Sequence, residues 1–222
     1  DMDSEKLVIG YWKIRGLGRM VVLVCEYVGA PYELVEYVQG DGPEFDRSEW
    51  LDKKFTLGLD FPNLPYLIDG DFKMTETVPI IQYIAMKYKP ELLGETLREQ
   101  ATVAMLMNIV SEAKSTNSIC YQCDDLDKFT KAAHDKLQVL EKYVGDKKFL
   151  TGDKVTYPDL FLTEFLWFLI AVTSEEDVSA KLPNLWRLSS NVAALPEISA
   201  FLASERNEKI PFNNKIAKIN AS

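Results

Sequence analysis

Tyr11 closes a short apolar run, Leu7-Val8-Ile9-Gly10-Tyr11, and a strand end of that kind can project a hydroxyl over a cleft. Such a tyrosine is either a half-buried ring or a hydrogen-bond donor aimed at an anionic atom. The segment Arg47 to Lys54 mixes cations with the indole N–H of Trp50. That set suits a carboxylate through charge-assisted contacts, or else forms a solvated charge run. In Gly58 to Gly70 (GLDFPNLPYLIDG) two prolines sit three apart before an apolar run closed by Asp69-Gly70. Proline cannot donate to a sheet ladder, so Pro65 belongs at the first residue of a strand with Tyr66 to Ile68 as its body. Were the Leu64–Pro65 bond cis, the N–H and C=O of Leu64 would face outward, free to pair with an extended peptide. Thr75-Glu76-Thr77 reads as a helix start, with Thr75 as its cap, where free N–H groups favour a carboxylate. Cys120-Tyr121-Gln122-Cys123 has dithiol spacing, but no His or Cys cluster accompanies it to make a zinc site, and it reads as two incidental thiols. His134, the only histidine, lies on a Lys-rich helical stretch and reads as a solvated surface group outside any Ser-His-Asp arrangement.

The elements that must position these groups follow from periodicity. Leu7 to Tyr11 reads as a buried strand, and Leu17 to Val28 as a helix stopped by Gly29-Ala30-Pro31. Tyr32 to Val38 alternates as a second strand, and Gly40-Asp41-Gly42-Pro43 is a loop by composition. Ser48 to Phe55 makes a short helical turn. After Pro65 the Asp69-Gly70 turn sends Phe72 to Met74 back as an antiparallel neighbour, and Val78, Ile81, Ala85 and Tyr88 share one helical face. Strand, helix, strand, then strand, strand, helix is a thioredoxin-like pattern. Lys89-Pro90 and Gly94 then break the chain, which places a domain boundary at about residues 89–95. From Thr96 onward the sequence predicts helices at about 97–120, 126–145, 157–172, 184–194 and 197–205, and no strand. Thr156-Tyr157-Pro158-Asp159 is the clearest start signal, a capping box with Val155 and Leu160 as its hydrophobic staple.

Composition narrows the function. A hydrophobic fraction of 47% and charged fraction of 27% fit a soluble globular chain, and the net charge of −9 argues against nucleic acid and anionic membrane surfaces as partners. The apolar run Leu160 to Val172 is interrupted by Thr163-Glu164 and is too short to span a bilayer. Cys25, Cys120 and Cys123 form no disulfide framework, which points to a reducing compartment, most simply the cytoplasm. The acidic opening Asp1-Met2-Asp3-Ser4-Glu5-Lys6 does not read as a secretory or organellar leader.

Taken together, Leu59 to Gly70, Leu7 to Leu17 (LVIGYWKIRGL), Gly40 to Phe55 and Gly152 to Asp159 (GDKVTYPD) resemble the corresponding segments of cytosolic glutathione transferases, in their mu-class form. The likeness covers nearly the whole chain at matching spacing and is strongest before residue 90. It implies an α+β, thioredoxin-like N-terminal domain over residues 1–90, with a mixed four-stranded sheet and flanking helices that bind glutathione. It implies an all-α C-terminal domain over 91–222 that forms the second-substrate site. The activity implied is conjugation of glutathione, a co-substrate rather than a held cofactor, to apolar electrophiles by a homodimer. Rivals are a binding or structural protein without turnover, and a glutathione-dependent isomerase using the same site.

The resemblance also assigns roles. Tyr11 is the donor to the glutathione sulfur, with Trp12 beside it. A free thiol with a pKa of about 8.5 is only about 3% thiolate at pH 7, and a donor that favours the charged form raises that fraction. Arg47, Trp50 and Lys54 match positions that hold the glycyl carboxylate, and Asn63, Leu64 and Pro65 those around the middle of the tripeptide. Glu76 and Thr77 match the γ-glutamyl site. Ile14, Leu17, Asn117 and Tyr121 fall in the second-substrate pocket, where the Tyr121 hydroxyl assists addition. Phe61 matches an aromatic that plugs the other subunit. The sequence departs from the family in Glu76-Thr77 for Gln-Ser, Met20 for a proline and Val22 for an arginine. It also has Ser111, next to Glu112, where the partner's aspartate is expected, and a polar stretch Lys114 to Ser118 where the family is apolar.

Overall fold

The computed structural model describes residues 6–222; apart from Lys6, the acidic opening segment read above lies outside them. The first half is β1 (Leu7–Trp12), α1 (Gly16–Val28), β2 (Tyr32–Tyr37), a one-turn α2 (Ser48–Leu51), β3 (Tyr66–Asp69), β4 (Phe72–Thr75) and α3 (Thr77–Tyr88). The sheet order is β2-β1-β3-β4. β1 runs parallel to β2 and antiparallel to β3, and β4 closes the edge antiparallel to β3. This is the mixed four-stranded sheet that the family resemblance implies. α1 ends where expected, with Gly29 in the left-handed region. Pro65 directly precedes β3, and its bond to Leu64 is cis.

The sheet has two differently covered faces. Leu7, Ile9 and Leu67 point into the main core with Met20, Val21 and Val24 of α1 and Ile80, Ile81 and Ile84 of α3. On the other face Tyr37, Trp50, Leu59 and Tyr66 form a smaller cluster. Gly10 must lack a side chain here, because a Cβ would stand 2.1 Å from the Tyr66 ring.

A 3₁₀ turn (Pro90–Leu93) leads to the helices α4 (Leu97–Ser115), α5 (Ile119–Gln122), α6 (Leu126–Val144), α7 (Tyr157–Val172), α8 (Glu175–Lys181), α9 (Pro183–Ala193) and α10 (Pro196–Leu202). Among the described residues no strand follows β4, and no helix is long and apolar enough to cross a membrane. The long helix expected over 97–120 is divided by a 3₁₀ turn at Thr116–Ser118, and α8 was not anticipated. α7 is buried along most of its length, and the same core runs from α1 and α3 through α7 to α4, α6 and α9. His134 is not a solvated group. It lies mostly buried between α6 and α8, 3.8 Å from Asp177, and burial lowers its pKa.

Beyond α10 the chain is irregular, yet it is tied down against both halves of the molecule. The carbonyls of Pro211 and Phe212 accept the N–H groups of Arg15 and Gly16, and the Cys120 carbonyl accepts those of Lys218 and Ile219. Lys215 reaches Asp41 at 2.6 Å. This tail is a strap across the end of β1 and the start of α5.

Candidate active site

The turn between β1 and α1 is shaped around Tyr11. The N–H of Leu17, in the first turn of α1, donates to the Tyr11 hydroxyl oxygen at 3.0 Å. Gly16 has φ +40°, and a Cβ there would approach the same oxygen to 2.7 Å, so the turn needs glycine twice over. With an acceptor lone pair already occupied, the Tyr11 hydroxyl is left to donate. Burial raises its pKa, which keeps it a neutral donor rather than a base.

Tyr11 opens onto a cleft of about 550 Å³ between the sheet half and the helical half. Leu17 lines it, with Glu76 and Thr77 at the start of α3, Ser111 and Lys114 of α4, Asn117, Tyr121 and the tail residue Asn213. A second hollow of about 450 Å³ lies on the other side of Tyr11, between β1, β2 and α1. Around that hollow Lys13 is paired with Glu36 and Glu208 and Arg206 with Glu26, while the lining residue Arg19 donates to the Asn207 side chain and the Glu208 carbonyl. Ile14 and Trp12 line this second hollow, not the cleft.

The start of α3 corrects one expectation. Thr75 does not cap the helix, because its hydroxyl donates to the Phe61 carbonyl at 2.9 Å while its backbone continues β4. Glu76 occupies the cap position at φ +76°, and no side chain satisfies the first N–H groups of α3. A non-glycine residue at that φ is a costly conformation of the sort found at ligand clamps. The result is a helix N-terminus open toward the cleft. The Asn63 amide donates to Glu76 at 3.3 Å, which couples the Pro62–Pro65 loop to this corner, and the Leu64 N–H donates to the Asn63 side-chain oxygen at 2.9 Å.

The other expected residues flank the cleft without lining it. Trp50 is buried, stacked at 6.1 Å on the Tyr66 ring and edge-on to Tyr37, and so anchors α2 to the sheet. Arg47 is exposed at the start of α2, and Lys54 is half-buried with its ammonium 5.4 Å from the Phe55 ring centroid. On the opposite wall the Tyr121 hydroxyl accepts the Asn214 N–H at 3.2 Å and lies 3.5 Å from the Asn213 side-chain oxygen, which also accepts from Asn117 at 3.0 Å. Glu112, the neighbour of Ser111, pairs instead with Lys136 of α6. Asn213, Lys114 and Phe161 escaped the choice of site residues. Asn213 sits in a tail without periodicity, Phe161 reads as an ordinary helix position, and Lys114 stands out only as part of the polar stretch Lys114 to Ser118.

Residues 7–86 match the glutathione S-transferase N-terminal domain, and residues 114–205 the glutathione S-transferase C-terminal domain. Glutathione S-transferase Mu 1 of Bos taurus is 38% identical over 95% of this chain and 97% of its own length. The chain belongs to the glutathione S-transferase family. The glutathione S-transferase of Dermatophagoides pteronyssinus is 36% identical over 97% of each chain. Among solved structures, the glutathione S-transferase Blo t 8 superimposes with a TM-score of 0.82 at 26% identity, covering 96% of this chain and 99% of that one. The mu-class likeness of the Leu59–Gly70 segment is thus matched by mu-class relatives along the whole chain.

Proposed function

We propose that this glutathione S-transferase joins the thiolate of glutathione to electrophilic small molecules in the cleft between its two halves. The observation that carries the reading is the Tyr11 hydroxyl, fixed by the Leu17 N–H at the mouth of that cleft with its own hydrogen free to donate. The thiolate is the nucleophile. A hydroxyl donor aimed at sulfur stabilises the charged form, and a lowering of roughly two pKa units makes thiolate the majority species near neutral pH. Its electron pair then adds to the electrophilic carbon.

On this reading the part up to about residue 90 holds the tripeptide. The open N-terminus of α3 at Thr77 takes the γ-glutamyl carboxylate, and Glu76 the neighbouring ammonium. Asn63 and the backbone of Leu64, beside Pro65, meet the middle of the tripeptide, where a ligand acceptor would replace the Asn63 oxygen on the Leu64 N–H. Trp12 packs beside Tyr11, and Arg47, Lys54 and the Trp50 indole serve the glycyl end. The helices beyond about residues 89–95 supply the second-substrate wall through Asn117 and Tyr121, opposite Leu17, while Ile14 supports the turn from behind. Phe61 anchors a homodimer.

Tyr11→Phe tests the assignment, because it removes one oxygen and keeps the ring. Glutathione should still bind, with its thiol drifting back toward about 8.5. At pH 6.5 the thiolate fraction would then fall to about 1%, and the rate deficit should shrink as pH rises toward 9. Thiolate ultraviolet absorbance of the bound tripeptide reads this directly. A deficit constant from pH 6 to 9 would show that Tyr11 does not act through thiol ionisation. The polar wall at Lys114 to Ser118 favours a second reading, a binding protein without turnover. Wild-type protein that binds glutathione with no thiolate absorbance near neutral pH would establish it.

A further inference from the structure

We propose that Lys114 makes the second-substrate cleft select electrophiles that carry a carboxylate. The inference rests on the transferase reading and deepens it. Lys114 lies in the last turn of α4 and lines the same cleft as Tyr11, Leu17 and Tyr121. Its ammonium stands 5.7 Å from the centroid of Phe165, a fully buried ring of α7. Phe165 holds the lysine against the wall by a cation–π contact and provides no counter-charge.

The neighbouring charges do not balance. The carboxylate on the adjoining face of α7 is Glu164, and both its oxygens are taken by Arg15, which donates from Nε at 2.8 Å and from a terminal nitrogen at 2.7 Å. Among the described residues Lys114 enters no ion pair, and the contact its ammonium makes is with the Phe165 ring. Glu164 shares a small cavity beneath the cleft with Lys114 and its charge favours the protonated lysine, but its oxygens stay on Arg15 and give Lys114 no ion pair. Cys120 of α5 lies near the lysine, Tyr11 and Tyr121 line the cleft, and burial raises the pKa of all three, so none supplies an anion near neutral pH. Burial also lowers Lys114 itself to about 8, which still leaves it mostly protonated at pH 6.5.

A lone ammonium in a half-dry pocket is matched by a monoanion. One lysine answers a carboxylate, whereas a phosphate dianion is usually met by several cations or a set of backbone donors. Glu76, the carboxylate elsewhere in the lining, sits across the cleft at the cap of α3, where the tripeptide ammonium would meet it.

The test uses a matched pair, 4-chloro-3-nitrobenzoate and 4-chloro-3-nitrobenzamide. In each the glutathione thiolate adds its electron pair to the ring carbon bearing chlorine. The anionic adduct then expels chloride with the C–Cl pair, and the thiol proton goes to solvent. Intrinsic reactivities differ, but the ratio of kcat/KM for benzoate to that for benzamide, compared between variants, cancels the difference. Lys114→Met should lower that ratio at pH 6.5 about tenfold, the scale of one charge-assisted contact, while Lys114→Arg should retain most of it. The two S-aryl glutathione conjugates, titrated by calorimetry, give the same comparison without turnover. Turnover with an unchanged ratio in Lys114→Met would overturn the proposal and leave the transferase reading standing. Absent turnover with a Lys114-dependent preference for the carboxylate conjugate would do the reverse. Equal binding of both conjugates to wild type and Lys114→Met would also overturn it.

Discussion

Arg15 joins three parts of the chain in the turn between β1 and α1. Its guanidinium grips Glu164 with two hydrogen bonds and lies 4.0 Å from the Phe212 ring centroid, while the Arg15 backbone N–H donates to the Pro211 carbonyl. The turn, α7 and the tail therefore share one side chain. Glu164 is 2% exposed, so removing its partner strands a carboxylate in the core. Breaking a buried pair from one side costs about 3–5 kcal/mol, whereas replacing both members by apolar groups can be close to neutral. Arg15→Ala should lower the unfolding free energy by about 3–5 kcal/mol in urea, and Arg15→Leu with Glu164→Leu should recover most of the loss. A loss under about 1 kcal/mol in the single variant would refute a buried pair of that strength.

Among the elements, α7 is the one whose start the sequence states most openly and whose burial is deepest. Asp159 accepts from the N–H and the hydroxyl of Thr156, both at 2.8 Å, and from the Leu150 N–H at 2.8 Å. It thereby fastens the loop before the helix as well as capping it. Asp159→Asn keeps one acceptor and turns the other position into a donor facing donors, a change expected to cost about 2–4 kcal/mol. Burial lifts the Asp159 carboxyl from the ordinary 3.8 to about 6, outweighing those hydrogen bonds. A folded value above the unfolded one contributes stability that is complete below about pH 3.8 and lost as pH rises through about 6. The wild type should therefore gain on Asp159→Asn by about 1 kcal/mol between pH 7.5 and 5 in urea unfolding. A gap that narrows instead would show the carboxylate to be the favoured buried form. Thr156 and Asp159 were legible because a cap is a local signal, and so were β1, α1 and the Pro65 strand start. Thr75 misled because its backbone ends β4 and pairs there with Tyr66 of β3, a pairing that overrides local helix-start chemistry. α8 went unread because it is only seven residues long, although Ser174 before Glu175-Glu176-Asp177 is a start signal of the same sort as Thr156. Leu17, Asn117 and Tyr121 line the cleft, as does Asn213, which arrives through a tail fixed by backbone contacts that leave no pattern in the side chains.

At the scale of the whole molecule, the sheet half leaves an apolar aromatic outside its own core. Phe61 is 79% exposed, so the alternative that it packs within its own chain does not hold. Its carbonyl is held by the Thr75 hydroxyl, which fixes the loop from which the ring projects. Phe72 on the edge strand β4, Met86 of α3, and Leu97 and Met105 of α4 are also exposed large apolar side chains. Scattered exposed apolar residues need no explanation, but a projecting aromatic on a pinned loop has the form of an interface anchor. We expect a homodimer in which Phe61 enters the partner, with a loss of roughly 3–5 kcal/mol when the ring is truncated. Phe61→Ser should then sediment as a monomer at micromolar concentration while its far-ultraviolet circular dichroism stays that of the wild type, because the ring supports little of its own subunit. Wild-type protein that is itself monomeric at that concentration would refute the dimer. A Phe61→Ser dimer of unchanged affinity would move the anchor elsewhere, with Leu97, 83% exposed at the start of α4, the next position to truncate.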